Sequence, residues 1–353
     1  MLKKEYRIIG VMSGTSLDGI DLVYAMFNFG KEVTYKILCT ETITYSKFWE
    51  NQLRYLVNLD KTELDDIDRS YTLYISEVIK TFIKKHDISS IDAVCSHGHT
   101  ALHRPEEGLT VQIGNRPELS QLLGLNVVCD FRVQDVELGG QGAPLVPVGD
   151  RLLFSKYDYC INLGGFANVS FENKSNNRIA FDICPVNIVL NHFAKQLGLA
   201  YDDKGHIAQR GSVDQKLLEA LDNLNYYKQP PPKSLGLEWV HHEIFPLLNR
   251  SEHDVADIIS TFTEHIATQI SAVIPKGSKV LFTGGGTFNH YLLQRILSKK
   301  PMELIVPETE LVEFKEALIF GLLGVLKLRG EINSLASVTG AEKNHSSGKI
   351  FGV

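Results

Sequence analysis

The apolar positions of this chain change period several times, and those changes mark its elements. Segments 6–12, 20–29 and 33–43 are strand-like runs joined by short connections rich in Gly, Asp and Asn, which predicts an antiparallel meander. Leu64, Ile67, Tyr71, Ile75, Val78 and Phe82 then recur at three- and four-residue spacing. That is the stripe of a long amphipathic helix facing a core. Short strands at 93–96, 109–113 and 127–130 follow, with a helix at 117–123.

A second strand cluster occupies 157–163, 167–171 and 178–182. Helical patterns come next at 186–197, 213–221 and 255–273, the last carrying Ile258, Phe262, Ile266 and Ile270 on one face. Strand 280–283, helix 290–297, strand 303–306 and an apolar helix over 316–328 complete the pattern. Segment 229–232 ends in three prolines and cannot be regular helix. Each half thus opens with three adjacent strands whose first ends in a glycine-containing turn. The expected class is α/β in two domains, 1–145 and 146–353, with the boundary inside 139–147 and both turns at a shared cleft.

Composition narrows the function classes. With 353 residues, 44% hydrophobic and 22% charged, the chain can bury two ordinary cores. A net charge of −6 without a basic run gives no reason to bind nucleic acid. No apolar run is long enough to span a bilayer, and the first residues lack the pattern of a signal peptide. The five cysteines are widely spaced with no Cys-x-x-Cys pair, which argues against a disulfide framework or zinc site. A cytoplasmic location is the expectation.

Candidate chemistry gathers at three glycine turns. The first, Ser13, Gly14, Thr15, Ser16, Leu17, Asp18, Gly19, Ile20 and Asp21, follows the first strand. Glycines let a backbone approach a phosphate, turn N–H groups form an anion-binding concavity, and Asp18 or Asp21 could hold Mg²⁺ through water. An ordinary hairpin turn would look similar. The second runs through Asn162, Gly164, Gly165 and Asn168, and the third through Gly284, Gly285, Gly286 and Asn289 ahead of a helix N-terminus. There is no P-loop string and no protein-kinase motif pair. Between the turns lie His97, His99 and His103, whose spacing suits sugar hydrogen bonds better than a metal site. Asp130, Arg132 and Asp135 would form an ion-pair cluster or contact a ligand, and Gln141 lies in a glycine-rich segment. Asp182, at a strand end before a helix, is either a general base or a helix N-cap.

Taken in order, these strings resemble the anhydro-N-acetylmuramic acid kinase family over nearly the whole chain. The matches include Ser96–Thr100 as Ser-His-Gly-x-Thr, Gln112–Asn115, Asp130–Arg132, Asn162–Ser170, Pro232–Gly236, Gly284–Asn289, Glu316-Ala317 and Ser337–Ala341. The resemblance implies a two-domain actin/hexokinase-like (ribonuclease H-like) fold with ATP and Mg²⁺ between the domains, and a homodimer. It implies cleavage of the 1,6-anhydro ring and phosphorylation to N-acetylmuramic acid 6-phosphate, part of cell-wall sugar recycling. Asp182 would be the base acting on water, Glu316 a second water-orienting carboxylate, and Arg132 a residue near the sugar. Four positions depart from the family pattern. Cys184 and Val186 stand where it has glycines, His99 where it has Gln, and Asn191 where it has Asp. These leave two alternatives open: a kinase for another anhydrosugar such as levoglucosan, or a catalytically silent nucleotide binder.

Overall fold

The structure is a computed structural model and describes residues 2–14, 17–249 and 254–352. Thr15 and Ser16 of the first glycine turn therefore lie outside the described residues. The chain forms two compact units, one running to Leu153 and resuming at Phe314, the other Phe154–Glu313.

In the first unit, β1 (Glu5–Ser13), β2 (Gly19–Phe29) and β3 (Val33–Thr44) form the expected antiparallel meander. β4 (Ala93–Arg104) pairs parallel to β1, and β5 (Leu109–Ile113) and β6 (Val127–Cys129) both pair with β4. The closing strand Lys349–Phe351 lies antiparallel on β6. Helix α1 (Lys61–Lys85) covers one face, and its predicted stripe packs Tyr71, Ile75 and Phe82 against Ile9, Val11 and Val94. A capping box starts it: Asp60 accepts from the N–H groups of Thr62 and Glu63, and Glu63 accepts in return from the Asp60 N–H.

The second unit repeats the plan. β7 (Tyr159–Leu163), β8 (Phe166–Glu172) and β9 (Arg178–Pro185) form an antiparallel meander. β10 (Lys279–Thr283) lies parallel to β7, and β11 (Glu303–Ile305) parallel to β10. Helix α2 (Asn187–Gln196) follows β9, and α3 (Val255–Val273) buries Ile258, Phe262, Ile266 and Ile270 in that unit's core. Helix α4 (His290–Lys299) lies between β10 and β11 in the chain, and α5 (Thr309–Leu328) follows β11. Among the described residues, no helix is long and apolar enough to cross a membrane.

The single division expected at 145/146 differs from this grouping: the first unit reaches Leu153 and takes back the chain from Phe314. A three-residue, largely exposed strand such as Lys349–Phe351 has no periodic signature to announce its pairing. The strand expected at 93–96 also continues to Arg104, through the histidine-rich segment.

Candidate functional site

In the first unit, sheet register places His99 opposite Ser13, just past a bulge between Val11 and Ser13. Gly98 takes φ +70°, and a Cβ there would lie 2.6 Å from the Ile113 carbonyl oxygen, so glycine is required between the two histidines. Ser13, 1% exposed, meets His99 Nδ1 at 2.8 Å, the Tyr45 hydroxyl at 2.6 Å and the Tyr71 hydroxyl at 2.8 Å. Its side chain is committed inside the unit, which leaves only its backbone for a phosphate.

The Arg132 Nε donates to His97 Nε2 at 2.9 Å. His97 must then carry its proton on Nδ1, which donates to the Gly98 carbonyl at 2.8 Å. Arg132 also donates to the Gly142 carbonyl at 2.6 Å. Burial lowers the pKa of Arg132 to about 10, opposed by Glu316 and Asp135. Asp135 is 0% exposed and accepts from the Gly142 N–H and from the hydroxyls of Ser334 and Thr339. It fixes the loop that fixes Arg132, and has no surface to offer a ligand. Gln141 is exposed, and its N–H is tied to the Thr339 carbonyl. Asp130, at φ +63°, pairs with Lys349 at 2.6 Å.

Glu316 is placed by backbone contact. Gly10 of β1 lies so close to α5 that a Cβ on it would sit 2.1 Å from the carbonyl oxygen of the neighbouring Ala317. Glu316 keeps a solvent-accessible surface although protein surrounds it; this desolvation raises its pKa, while Arg132 and Lys315 pull it down. Water reaching the carboxylate screens those charges.

The rest of the first turn divides by exposure. Asp18 is exposed, and Leu17 takes φ +61°. Asp21 accepts from the Thr42 hydroxyl at 2.6 Å. Ile20 is fully buried in the core, so its side chain is removed from any ligand. A Cβ on Gly19 would meet the Ile43 carbonyl oxygen at 2.6 Å. Gly14 accepts from the Leu17 N–H in the turn.

In the second unit the Gly164–Gly165 turn is bonded to the start of α2: Val186 and Ile188 donate to the Gly165 carbonyl, and Asn187 to that of Gly164. Asn162 lies on β7, and Asn168 is exposed on β8. Gly284 takes φ +83° at the end of β10, and the Asn289 side chain caps α4 by accepting from the Leu292 N–H. Gly285, Gly286 and Asn289 line a cavity of about 480 Å³ together with Asn187, Asn191, Tyr201, Lys204 and Phe288. The stretch 201–204 escaped sequence reasoning because it carries neither glycine turn nor periodicity. Asp202 there caps the next helical turn by accepting from Ile207 and Ala208.

Asp182 lies in β9. The N-cap position of α2 belongs to Val186, so the capping alternative is removed. Its Oδ2 accepts from the Leu235 N–H at 2.9 Å, and its backbone carbonyl accepts from the Tyr226 hydroxyl at 2.5 Å. Burial pushes the carboxyl above the usual aspartate range, partly offset by the Leu235 N–H. Lys233 stacks over the Tyr226 ring at 4.6 Å and donates to its carbonyl. His265, fully buried, bridges Asp222 at 2.6 Å and the Tyr227 hydroxyl at 2.8 Å, anchoring the same segment to α3. Val186 has φ −130° and Cys184 continues β9, so neither residue sits in left-handed backbone.

His99 sets a pH expectation. Burial lowers its pKa from 6.5 to about 4. The unfolded chain therefore binds more protons between those values, and acidification across that window favours unfolding by up to about 3 kcal/mol. Chemical denaturation from pH 7 to pH 4 should show this loss, and a His99→Gln variant should lose that part of the slope. Equal slopes in both proteins would exclude His99 as its source.

The second unit carries its strands in the order 3-2-1-4-5, counted along its own chain, and the first repeats it as 3-2-1-4-6, with β5 a hairpin on β4 and Lys349–Phe351 beyond β6; in both, the second strand is antiparallel to the first. That duplicated topology is the actin/hexokinase-like fold. The chain belongs to the anhydro-N-acetylmuramic acid kinase family, whose pattern it matches over residues 6–353. It is 32% identical to the anhydro-N-acetylmuramic acid kinase of Shewanella woodyi, with 99% of each chain covered. It is 30% identical to that of Haemophilus influenzae, covering 99% of this chain and 98% of the relative. Among solved structures, the activator of the 2-hydroxyisocaproyl-CoA dehydratase from Clostridium difficile aligns over 92% of this chain and 96% of its own, at 14% identity and a TM-score of 0.47. That likeness is too loose to add to the argument.

Proposed function

We propose that the protein is an ATP-dependent kinase that opens 1,6-anhydro-N-acetylmuramic acid with water and phosphorylates it to N-acetylmuramic acid 6-phosphate. Family membership supports the reading, and the local observation that carries it is Asp182. One carboxylate oxygen is pinned by the Leu235 N–H, while Oδ1 has no hydrogen-bond partner among the described residues. The pKa raised by burial makes this carboxylate a stronger base than an ordinary aspartate.

In this reading Asp182 takes a proton from a water whose oxygen bonds to the anomeric carbon. The bond from that carbon to O6 breaks, and O6 carries its electron pair to the γ-phosphorus. The bond from that phosphorus to the β,γ-bridging oxygen then breaks, and ADP leaves. Opening the ring generates the nucleophile in place, so O6 needs no separate base. Glu316 orients the water, and Arg132, aimed by His97 and the Gly142 carbonyl, contacts the sugar. The glycine turns take the phosphates and the cavity beside Gly285–Gly286 takes the nucleoside.

No group of three metal-ligating side chains is present among the described residues. Mg²⁺ ordinarily keeps several waters and binds through one or two carboxylates plus phosphates, and the exposed Asp18 fits that donor set. Mg²⁺ would neutralise charge on the transferring phosphoryl group.

The test is a coupled ADP-release assay with Mg-ATP and, in parallel, 1,6-anhydro-N-acetylmuramic acid, levoglucosan or no sugar. Turnover with the muramic sugar alone is expected. Turnover with levoglucosan alone, or with neither, would overturn the assignment.

A further inference from the structure

Three hydroxyls and one imidazole form a closed buried cluster in the first unit. Ser13, Tyr45 and Tyr71 make a triangle of oxygens with edges of 2.6, 2.8 and 2.5 Å, and Ser13 makes a fourth contact to His99 Nδ1 at 2.8 Å. Oxygens this close repel unless a proton lies between them, so each edge must hold one. The hydroxyls own three protons, one each, and the triangle consumes all three. The fourth contact can be a hydrogen bond only if the imidazole supplies the proton from Nδ1. A neutral ring then carries its lone pair on Nε2. Burial keeps both tyrosine hydroxyls protonated, raising Tyr45 to about 12 and Tyr71 further, and holds His99 neutral near pH 7.

That lone pair is available. His99 is 2% exposed, and its Nε2 has no hydrogen-bond partner among the described residues. His99 also lies two residues from His97, the residue that aims Arg132. We propose that the Ser13–Tyr45–Tyr71 hydroxyl triangle locks His99 in the Nδ1–H tautomer, making Nε2 an acceptor that selects substrates offering an O–H or N–H at that point. His99 is then a specificity-determining residue, and Ser13, Tyr45 and Tyr71 are positioning residues acting through it. The substrate half of this inference rests on the kinase reading above; the tautomer half does not.

The tautomer can be read in the free protein by ¹⁵N NMR of the histidine imidazoles, assigned with a His99→Gln variant. An unprotonated Nε2 is expected at pH 7, moving toward the hydrogen-bonded position when the anhydrosugar is added. Tyr71→Phe removes one proton and two edges, leaving two protons for two contacts, so Ser13 becomes free to donate to Nδ1. Both tautomers should then appear, and KM for the sugar should rise as the inverse of the fraction left as Nδ1–H, roughly twofold for an even mixture, with kcat little changed. Tyr45→Phe leaves the same proton count and should behave alike, so one poorly folded variant does not decide the matter. His99→Gln can donate its amide to Ser13 and turn its carbonyl outward, so it should keep KM within roughly threefold, whereas His99→Leu should not.

A protonated Nε2 in the wild-type protein, or an unshifted tautomer in both phenylalanine variants, would overturn the lock. An Nε2 signal unmoved by a sugar that the enzyme turns over would overturn the substrate contact. Absence of turnover with any sugar, beside an intact tautomer signal, would count against the kinase reading and its substrate half while the lock stands.

Discussion

Replacement of Asp182 by asparagine is expected to lower kcat about a thousandfold, the middle of the range for removing a general base. The substitution is close to isosteric. The amide carbonyl can still accept the Leu235 N–H, and the Tyr226 hydroxyl bonds to the backbone, which does not change. Position is therefore kept and basicity lost, so ATP binding by titration should stay within roughly threefold of wild type. The pH profile gives a second check. A carboxylate in the proposed role of base must be ionised, and burial raises its pKa above 3.8. The wild-type rate should therefore fall on acidification at a pH above the ordinary aspartate value, a limb absent from the residual activity of the variant. A kcat within threefold of wild type would remove Asp182 from the role of base.

Gly10→Ala is expected to be the most damaging single methyl in the first unit. The new Cβ would sit 2.1 Å from the carbonyl oxygen of Ala317, 3.0 Å from its carbon and 3.3 Å from the Gly321 nitrogen. All three are backbone atoms, so no side-chain rotation relieves the overlap. Helix α5 must retreat from β1, loosening its packing on Ile8 and Phe27 and displacing Glu316. A loss of about 3 kcal/mol or more is expected, at the upper end of overpacking effects. Gly30→Ala, whose Cβ would meet nothing nearer than 3.8 Å, is the control and should stay within roughly 0.5 kcal/mol. Calorimetric unfolding of both variants decides the point; a Gly10→Ala protein as stable as the control would refute so close a helix–strand approach.

Much of the molecule was legible from its period changes. The two three-strand meanders, α1, α3 and β10 fall where the sequence puts them, because each combines a clear period with Gly, Asp or Asn at its ends. The doubling of the plan was also visible, as two strand clusters each led by a glycine turn. The division into units was not. It depends on the segment from Phe314 returning to the first unit, and pairing between Lys349–Phe351 and β6 is a long-range fact with no local mark.

The site shows the same split. Sequence alone named the polar residues, because histidines, carboxylates and an arginine beside glycine turns are uncommon in a core. It could not say which of them face outward. Asp135 and Arg132 stand three residues apart and look equivalent as candidates. Only folding makes one a sealed acceptor for Gly142, Ser334 and Thr339 and leaves the other directed by His97. Ser13 likewise reads as a phosphate donor until sheet register sets His99 beside it and two distant tyrosines close around its hydroxyl. Residue type and local period are written in the chain, so the sequence determined the elements, the family and the chemical inventory. Burial and hydrogen-bond partnership arise between residues far apart in sequence, and so only the tertiary structure decided which carboxylate is a brace, which keeps an oxygen with no partner among the described residues, and which nitrogen of His99 faces the Ser13 hydroxyl.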